Sequence, residues 1–205
     1  MKKLLGVLLL SVTLLTGCGS LKYGEVDKNP VQPQEGNATI TFYRDGLNLA
    51  ETAGASVPIL LEKENHTFEP VGIINPGYKI RKELPPGQYS FFTGLVRPTR
   101  LNTTLEANKH YYVRLDSPFK LSNNFWNPRF EFVPLTGEKL EKNISRIKHC
   151  QLIKFNDAAN QWFIEHEQDL KTRLMDSYHL YSEEGSFKGQ LIPAIDFKDG
   201  IDELF

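Results

Sequence analysis

Residues 78–95 read Tyr78-Lys79-Ile80-Arg81-Lys82-Glu83-Leu84-Pro85-Pro86-Gly87-Gln88-Tyr89-Ser90-Phe91-Phe92-Thr93-Gly94-Leu95. Tyr78, Ile80, Lys82 and Leu84 recur at every second residue, so they share one face of a strand. Pro85-Pro86-Gly87 then turns the chain, because proline presets φ and glycine accepts positive φ. Tyr89, Phe91, Thr93 and Leu95 line one face of the strand that follows. The same grammar extends outward in both directions. Upstream, Ala38, Ile40 and Phe42 alternate with Thr39, Thr41 and Tyr43, and Asp45-Gly46 ends the run. Val57 to Leu61 and Val71 to Ile74 are two further apolar runs, split at Glu64-Asn65 and closed by the Asn75-Pro76-Gly77 turn. Downstream, Leu101, Thr103 and Leu105 form one face, and Ala107-Asn108-Lys109 reads as a hairpin connection into His110 to Leu115. Phe130 and Phe132 mark a last strand. About eight short strands separated by turns predict a mainly β fold, an antiparallel β-sandwich of immunoglobulin-like or small-barrel type, over residues 37–135. The strands are too short and too irregular for a membrane barrel.

Residues 136–205 read as a C-terminal extension. Leu140, Ile144 and Ile147 have helical spacing, yet Arg146 to Phe155 equally suits a strand. A helix near 157–180 is clearer. Ala159, Trp162, Phe163, His166, Leu170 and Leu174 fall on one stripe at a 3.6-residue period. Asn156 or Asp157 can cap it. Glu167–Lys171 and Asp169–Arg173 are acid-first pairs one turn apart on its solvated side.

Composition narrows the function classes. Basic and acidic residues number 24 and 25, giving a net charge of −1. That balance argues against nucleic acid as a partner, which needs a basic face to meet phosphates. Hydrophobic residues make up 40%, enough for a globular core, and two cysteines are too few for a disulfide scaffold.

The amino terminus reads as an address. Lys2 and Lys3 precede an apolar stretch, Leu4 to Leu15, which is too short to span a bilayer and suits a signal peptide over residues 1–17. Leu15-Thr16-Gly17-Cys18 resembles the bacterial lipobox, a leucine and two small residues before an acylated cysteine. Removing residues 1–17 from 205 leaves 188 beginning at Cys18, and losing Lys2 and Lys3 takes the charge from −1 to −3. Three acyl chains on Cys18 would anchor the chain in effect permanently, since two already do so stably. Gly19, where an aspartate would signal inner-membrane retention in enterobacteria, favours the outer membrane. Residues 18–36, with Pro30 and Pro33 and no periodic pattern, read as the lipidated cysteine and a flexible tether of root-mean-square reach about 25 Å.

Ile40 to Val133 resembles a family of uncharacterised bacterial lipoproteins defined by a domain of unknown function. Four segments carry the likeness: Ile40-Thr41-Phe42-Tyr43-Arg44, the Val71-Gly72 step, Leu84-Pro85-Pro86-Gly87-Gln88-Tyr89, and Leu105 to Arg114 with Asn108 where glycine is more usual. The resemblance implies a periplasmic β-sandwich on a lipid anchor and supplies no activity.

Catalytic and metal patterns are weak. His166-Glu167-Gln168-Asp169-Leu170 opens like a zinc-protease helix, but Leu170 stands where the second histidine is required. His149 and Cys150 are adjacent, which in a strand sends them to opposite faces. Gly54-Ala55-Ser56-Val57-Pro58 lacks the second glycine of a nucleophile elbow. No metal or cofactor is expected, and Cys150 reads as a small buried apolar residue. Arg97, Arg100, Phe125 and Trp126 form the candidate interaction surface, because arginine with aromatics in turn-rich segments is typical of interface anchors and sugar platforms, although Trp126 folding back as a lid on the sandwich core is the favoured alternative. The expected function is a non-enzymatic, lipid-anchored envelope module contacting a protein or glycan partner. A glycan- or lipid-binding module is the alternative. A hydrolase using Cys150 with His149 or His110 ranks third.

Overall fold

Alternation along each strand sends half its residues to one side of a sheet, and here both sides meet apolar partners. The computed structural model describes residues 21–46, 56–93, 98–116, 130–182, 200–202 and 204–205. In order they form β1 (Glu25–Val26), β2 (Ala38–Arg44), β3 (Val57–Glu62), β4 (Phe68–Ile74), β5 (Tyr78–Leu84), β6 (Gly87–Thr93), β7 (Thr99–Leu105), β8 (His110–Asp116), β9 (Glu131–Leu135), α1 (Gly137–His149), β10 (Gln151–Lys154) and α2 (Asp157–Ser182). These strands build a six-stranded sheet, β1-β10-β5-β2-β8-β9, and a four-stranded sheet, β4-β3-β6-β7. The fold is a β-sandwich with a C-terminal helix, as its sequence predicts, and neither sheet closes into a barrel. Most pairs are antiparallel, but β2–β8 and β5–β10 run parallel.

Ile40, Phe42, Ile59, Leu61, Phe91 and Val113 fill the space between the sheets. Phe42 meets Phe91 edge-on at 5.0 Å between ring centres. A second apolar layer lies outside the four-stranded sheet, where Leu60, Ile73 and Phe92 pack under Ala159, Phe163, Leu170 and Leu174 of α2. A third lies outside the six-stranded sheet, where Tyr43, Tyr112 and Leu135 pack with Leu140, Ile147 and Cys150 at α1. The layering is therefore helix, sheet, sheet, helix, and neighbours such as Phe91 and Phe92 enter different layers. Asn156 starts α2 by accepting the Ala159 backbone N–H at 2.9 Å.

Three turns do something other than close hairpins. Asn75-Pro76-Gly77, with Gly77 at φ +83°, carries the chain from β4 in one sheet to β5 in the other. Pro85-Pro86 does the same between β5 and β6, and the Tyr89 hydroxyl donates to the Pro85 carbonyl at 2.7 Å, a tyrosine corner. The hairpin expected at Ala107-Asn108-Lys109 is corrected: β7 pairs with β6, whereas β8 pairs with β2 and β9. A tight turn uses the same residues whether it reverses within a sheet or arches between two. Asn108 sits at φ +61°, a conformation asparagine tolerates.

The stretch expected as a tether also differs. Leu21 packs on the inter-sheet core, Tyr23 meets Trp162 at 6.2 Å, and β1 pairs with β10. Farther on, the Gln34 and Gly36 backbone N–H groups donate to Glu83 and Asn108, each at 2.7 Å. Backbone pairing of this kind needs no apolar pattern, so composition did not reveal it. β1 and β10 take the six-stranded sheet beyond the 37–135 boundaries. At the other end, Ile201 bridges His110 and the Phe205 ring lies on Tyr112 at 5.5 Å.

Candidate functional site

Of the residues singled out in the sequence, Cys18, Arg97, Phe125 and Trp126 lie outside the described residues. Arg100 is described, and its surroundings form the first candidate. It stands on β7, with Asn102 and Thr104 at alternate positions on the same face. Register sets Gln88 against Thr104, Ser90 against Asn102 and Phe92 against Arg100. Gln88, Ser90, Arg100, Asn102 and Thr104, with Tyr89 and Thr103, line a shallow recess of about 520 Å³. The Arg100 guanidinium donates to Ser90 Oγ at 3.0 Å and to Glu62 Oε2 at 3.3 Å, and stacks over the Phe92 ring at 5.6 Å. Ser90 in turn donates to Asn102 Oδ1 at 2.9 Å. This chain of guanidinium, hydroxyl and amide presents donors and acceptors at fixed positions. The partners that Ser90 meets here are a guanidinium and an amide, and neither removes a proton to make it a nucleophile.

A second recess, about 380 Å³, runs beside β1. Tyr23, Asp27, Pro30 and Val31 form one wall, and β4, β5 and β10 form the others through residues such as Ile73, Arg81 and Leu152. A Cβ at Gly72 would lie 2.7 Å from Ile80 Cδ1, so glycine lets β4 approach β5 here. Its lining mixes apolar residues such as Ile80 and Leu152 with the charged Asp27, Arg81 and Lys82, and burial lowers the Arg81 pKa.

Cys150 is buried, with its Sγ 3.6 Å from the Arg44 carbonyl. Burial first, then the Asp45 carboxylate, pushes the thiol up to about 11, so at neutral pH it stays protonated and weakly nucleophilic. The exposed His149 has Nδ1 2.8 Å from the Ser145 carbonyl of its own helix. Burial, then Arg81, lowers the His110 pKa. His166 stacks on Trp162 at 4.3 Å, with Nδ1 2.8 Å from the Trp162 carbonyl. Among the described residues, no group of three His, Cys, Asp or Glu could hold a metal ion. Lys79, almost fully buried, donates to the Ile147 and Phe205 carbonyls at 3.1 Å each, and burial lowers its pKa.

Sequence reasoning reached Arg100 but missed Gln88, Ser90, Asn102 and Thr104. The available signal was alternation of amides and hydroxyls at the outward positions of two successive strands. The chain matches no protein-family model and no curated protein.

Proposed function

We propose that this chain is a lipid-anchored protein of the bacterial cell envelope, held by acyl chains on Cys18, that presents its sandwich to the periplasm as a non-enzymatic interaction module. The observation that carries the reading is Leu15-Thr16-Gly17-Cys18, a lipobox-like motif behind a short apolar stretch and three residues before Leu21, the first of the described residues, which packs on the core. The resemblance of Ile40 to Val133 to uncharacterised lipoproteins points the same way, and we propose membership of that family. Gly19 favours the outer membrane over the inner one. No helix among the described residues is long and apolar enough to cross a membrane. In-cell crosslinking of the protein at native level, followed by mass spectrometry, tests the module. A reproducible protein adduct is expected; turnover of a hydrolase substrate by the purified domain would overturn the non-enzymatic reading.

The Arg100 recess favours a second reading, a glycan-binding module. Its amide, hydroxyl and guanidinium lining suits a ligand rich in hydroxyl groups. Calorimetric titration with peptidoglycan fragments tests it, with Asn102→Ala expected to weaken binding. Absence of heat across the fragment panel would remove this reading.

A further inference from the structure

The chain between the acylated cysteine and the folded body is far shorter than its sequence implies. Three Cα–Cα steps separate Cys18 from Leu21, and even fully extended they span only about 10–11 Å. The backbone of residues 21–27 already belongs to the domain. Leu21 packs on the inter-sheet core, and the Lys22 carbonyl accepts from Asn156 Nδ2 at 3.4 Å. Tyr23 meets Trp162, and Glu25 and Val26 pair with Lys154 and Ile153. A rigid body held this close to acyl chains cannot stand clear of the lipid surface, because the headgroup layer is itself roughly 5–8 Å deep on each side of the hydrocarbon.

The surface of this edge agrees independently. Among the described residues, the exposed large hydrophobics are Val26 at 37%, Val31 at 85% and Ile164 at 68%. Two of these three lie within ten residues of Leu21, interleaved with the exposed Lys22 and Lys28. Aliphatic side chains can enter the headgroup boundary while lysines reach the phosphates. Tyr23 and Trp162, half-buried beside them, are the residue types enriched at membrane interfaces.

We propose that the sandwich edge carried by residues 22–31 rests in the headgroup layer of the membrane that holds Cys18. The domain then lies flush against the bilayer, with β1 and its neighbouring recess facing lipid. The Arg100 recess, on the edge strand at the far side of the sandwich, faces away. This inference rests on the proposed acylation of Cys18.

The test uses the full acylated protein in vesicles of phosphatidylethanolamine and phosphatidylglycerol. A polarity-sensitive dye is placed by Val31→Cys or Asn102→Cys in a Cys150→Ala background, with nitroxide-headgroup lipid as quencher. Flotation with the vesicles, lost in Cys18→Ala, establishes the anchor separately. The expected result is blue-shifted, quenched emission at position 31 and unshifted, unquenched emission at position 102. Flotation with the two labels behaving alike would overturn the orientation while leaving the anchor standing. Failure of the wild-type chain to float would overturn both. Val31→Asp, at a largely exposed position, serves as a folding-neutral control: with the dye moved to Lys28→Cys, it should float equally and show weaker quenching than the same label beside Val31.

Discussion

Phe91 and Phe92 give the most searching test of the layered architecture. On a sheet with one wet face, consecutive residues alternate between core and solvent, so only one of the two would matter. Here both are buried, Phe91 at 0% and Phe92 at 1% exposure, in different apolar layers. Phe91 packs edge-on against Phe42 at 5.0 Å, and Phe92 edge-on against Phe68 at 5.5 Å. Truncating a buried phenylalanine to alanine costs about 3–5 kcal/mol, the lost transfer energy plus the cavity left behind. Against a typical total of about 5–15 kcal/mol, either change removes a large share of stability. At about 2–4 °C per kcal/mol for a chain of this size, each should lower Tm by about 6–20 °C. Urea and thermal unfolding followed by circular dichroism would measure both. Ile164→Ala, on α2 and exposed, is the control and should stay within about 0.5 kcal/mol of the parent. If Phe92→Ala costs under about 1 kcal/mol while Phe91→Ala keeps the full core penalty, α2 does not cover the four-stranded sheet and the account is wrong.

Three further outcomes are expected. Cys150 should react slowly with a thiol reagent in the folded protein and quickly after denaturation; equal rates would contradict its burial. The raised thiol pKa means the fold favours the protonated form, so this contribution to stability is complete below the ordinary value near 9.0 and is lost as pH rises through about 11. Asn156→Ala should cost about 1 kcal/mol in denaturant unfolding by removing the bond to the Ala159 N–H, and an unchanged midpoint would deny the cap. Hydrogen bonds from Lys63 and then Lys82 lower the Glu69 carboxyl pKa. Its contribution is therefore present above the ordinary carboxylate range and lost as pH falls, and carboxyl chemical shifts across an acid titration should report that lowered midpoint.

The strands β2 to β9 were legible because each carries alternation or, in β3 and β4, an apolar run between turn signals. β1 and β10 were not, since two and four residues carry too little pattern. α1 was ambiguous because β10 begins immediately after Cys150, so helical and extended patterns overlap in Arg146 to Phe155. The outer apolar layers did leave a trace in Leu60-Leu61, Ile73-Ile74, Phe91-Phe92 and Tyr111-Tyr112. Adjacent apolar pairs mark a strand buried on both faces, and alternation alone conceals them. Parallel pairing of β2 with β8 has no local signature, because it depends on where the intervening sheet returns the chain. The Arg100 recess was half legible for the same reason: Arg100 is visible in one segment, while Gln88 and Ser90 join it only through the β6–β7 register.

Mass spectrometry of the amino-terminal peptide from the protein purified out of the envelope would read the lipid anchor at Cys18 itself. The expected product is a mature chain whose first residue is Cys18, carrying a diacylglyceryl group on its thiol and an acyl chain on its amine. A chain with Cys18 unmodified, or cleaved at another residue, would contradict it.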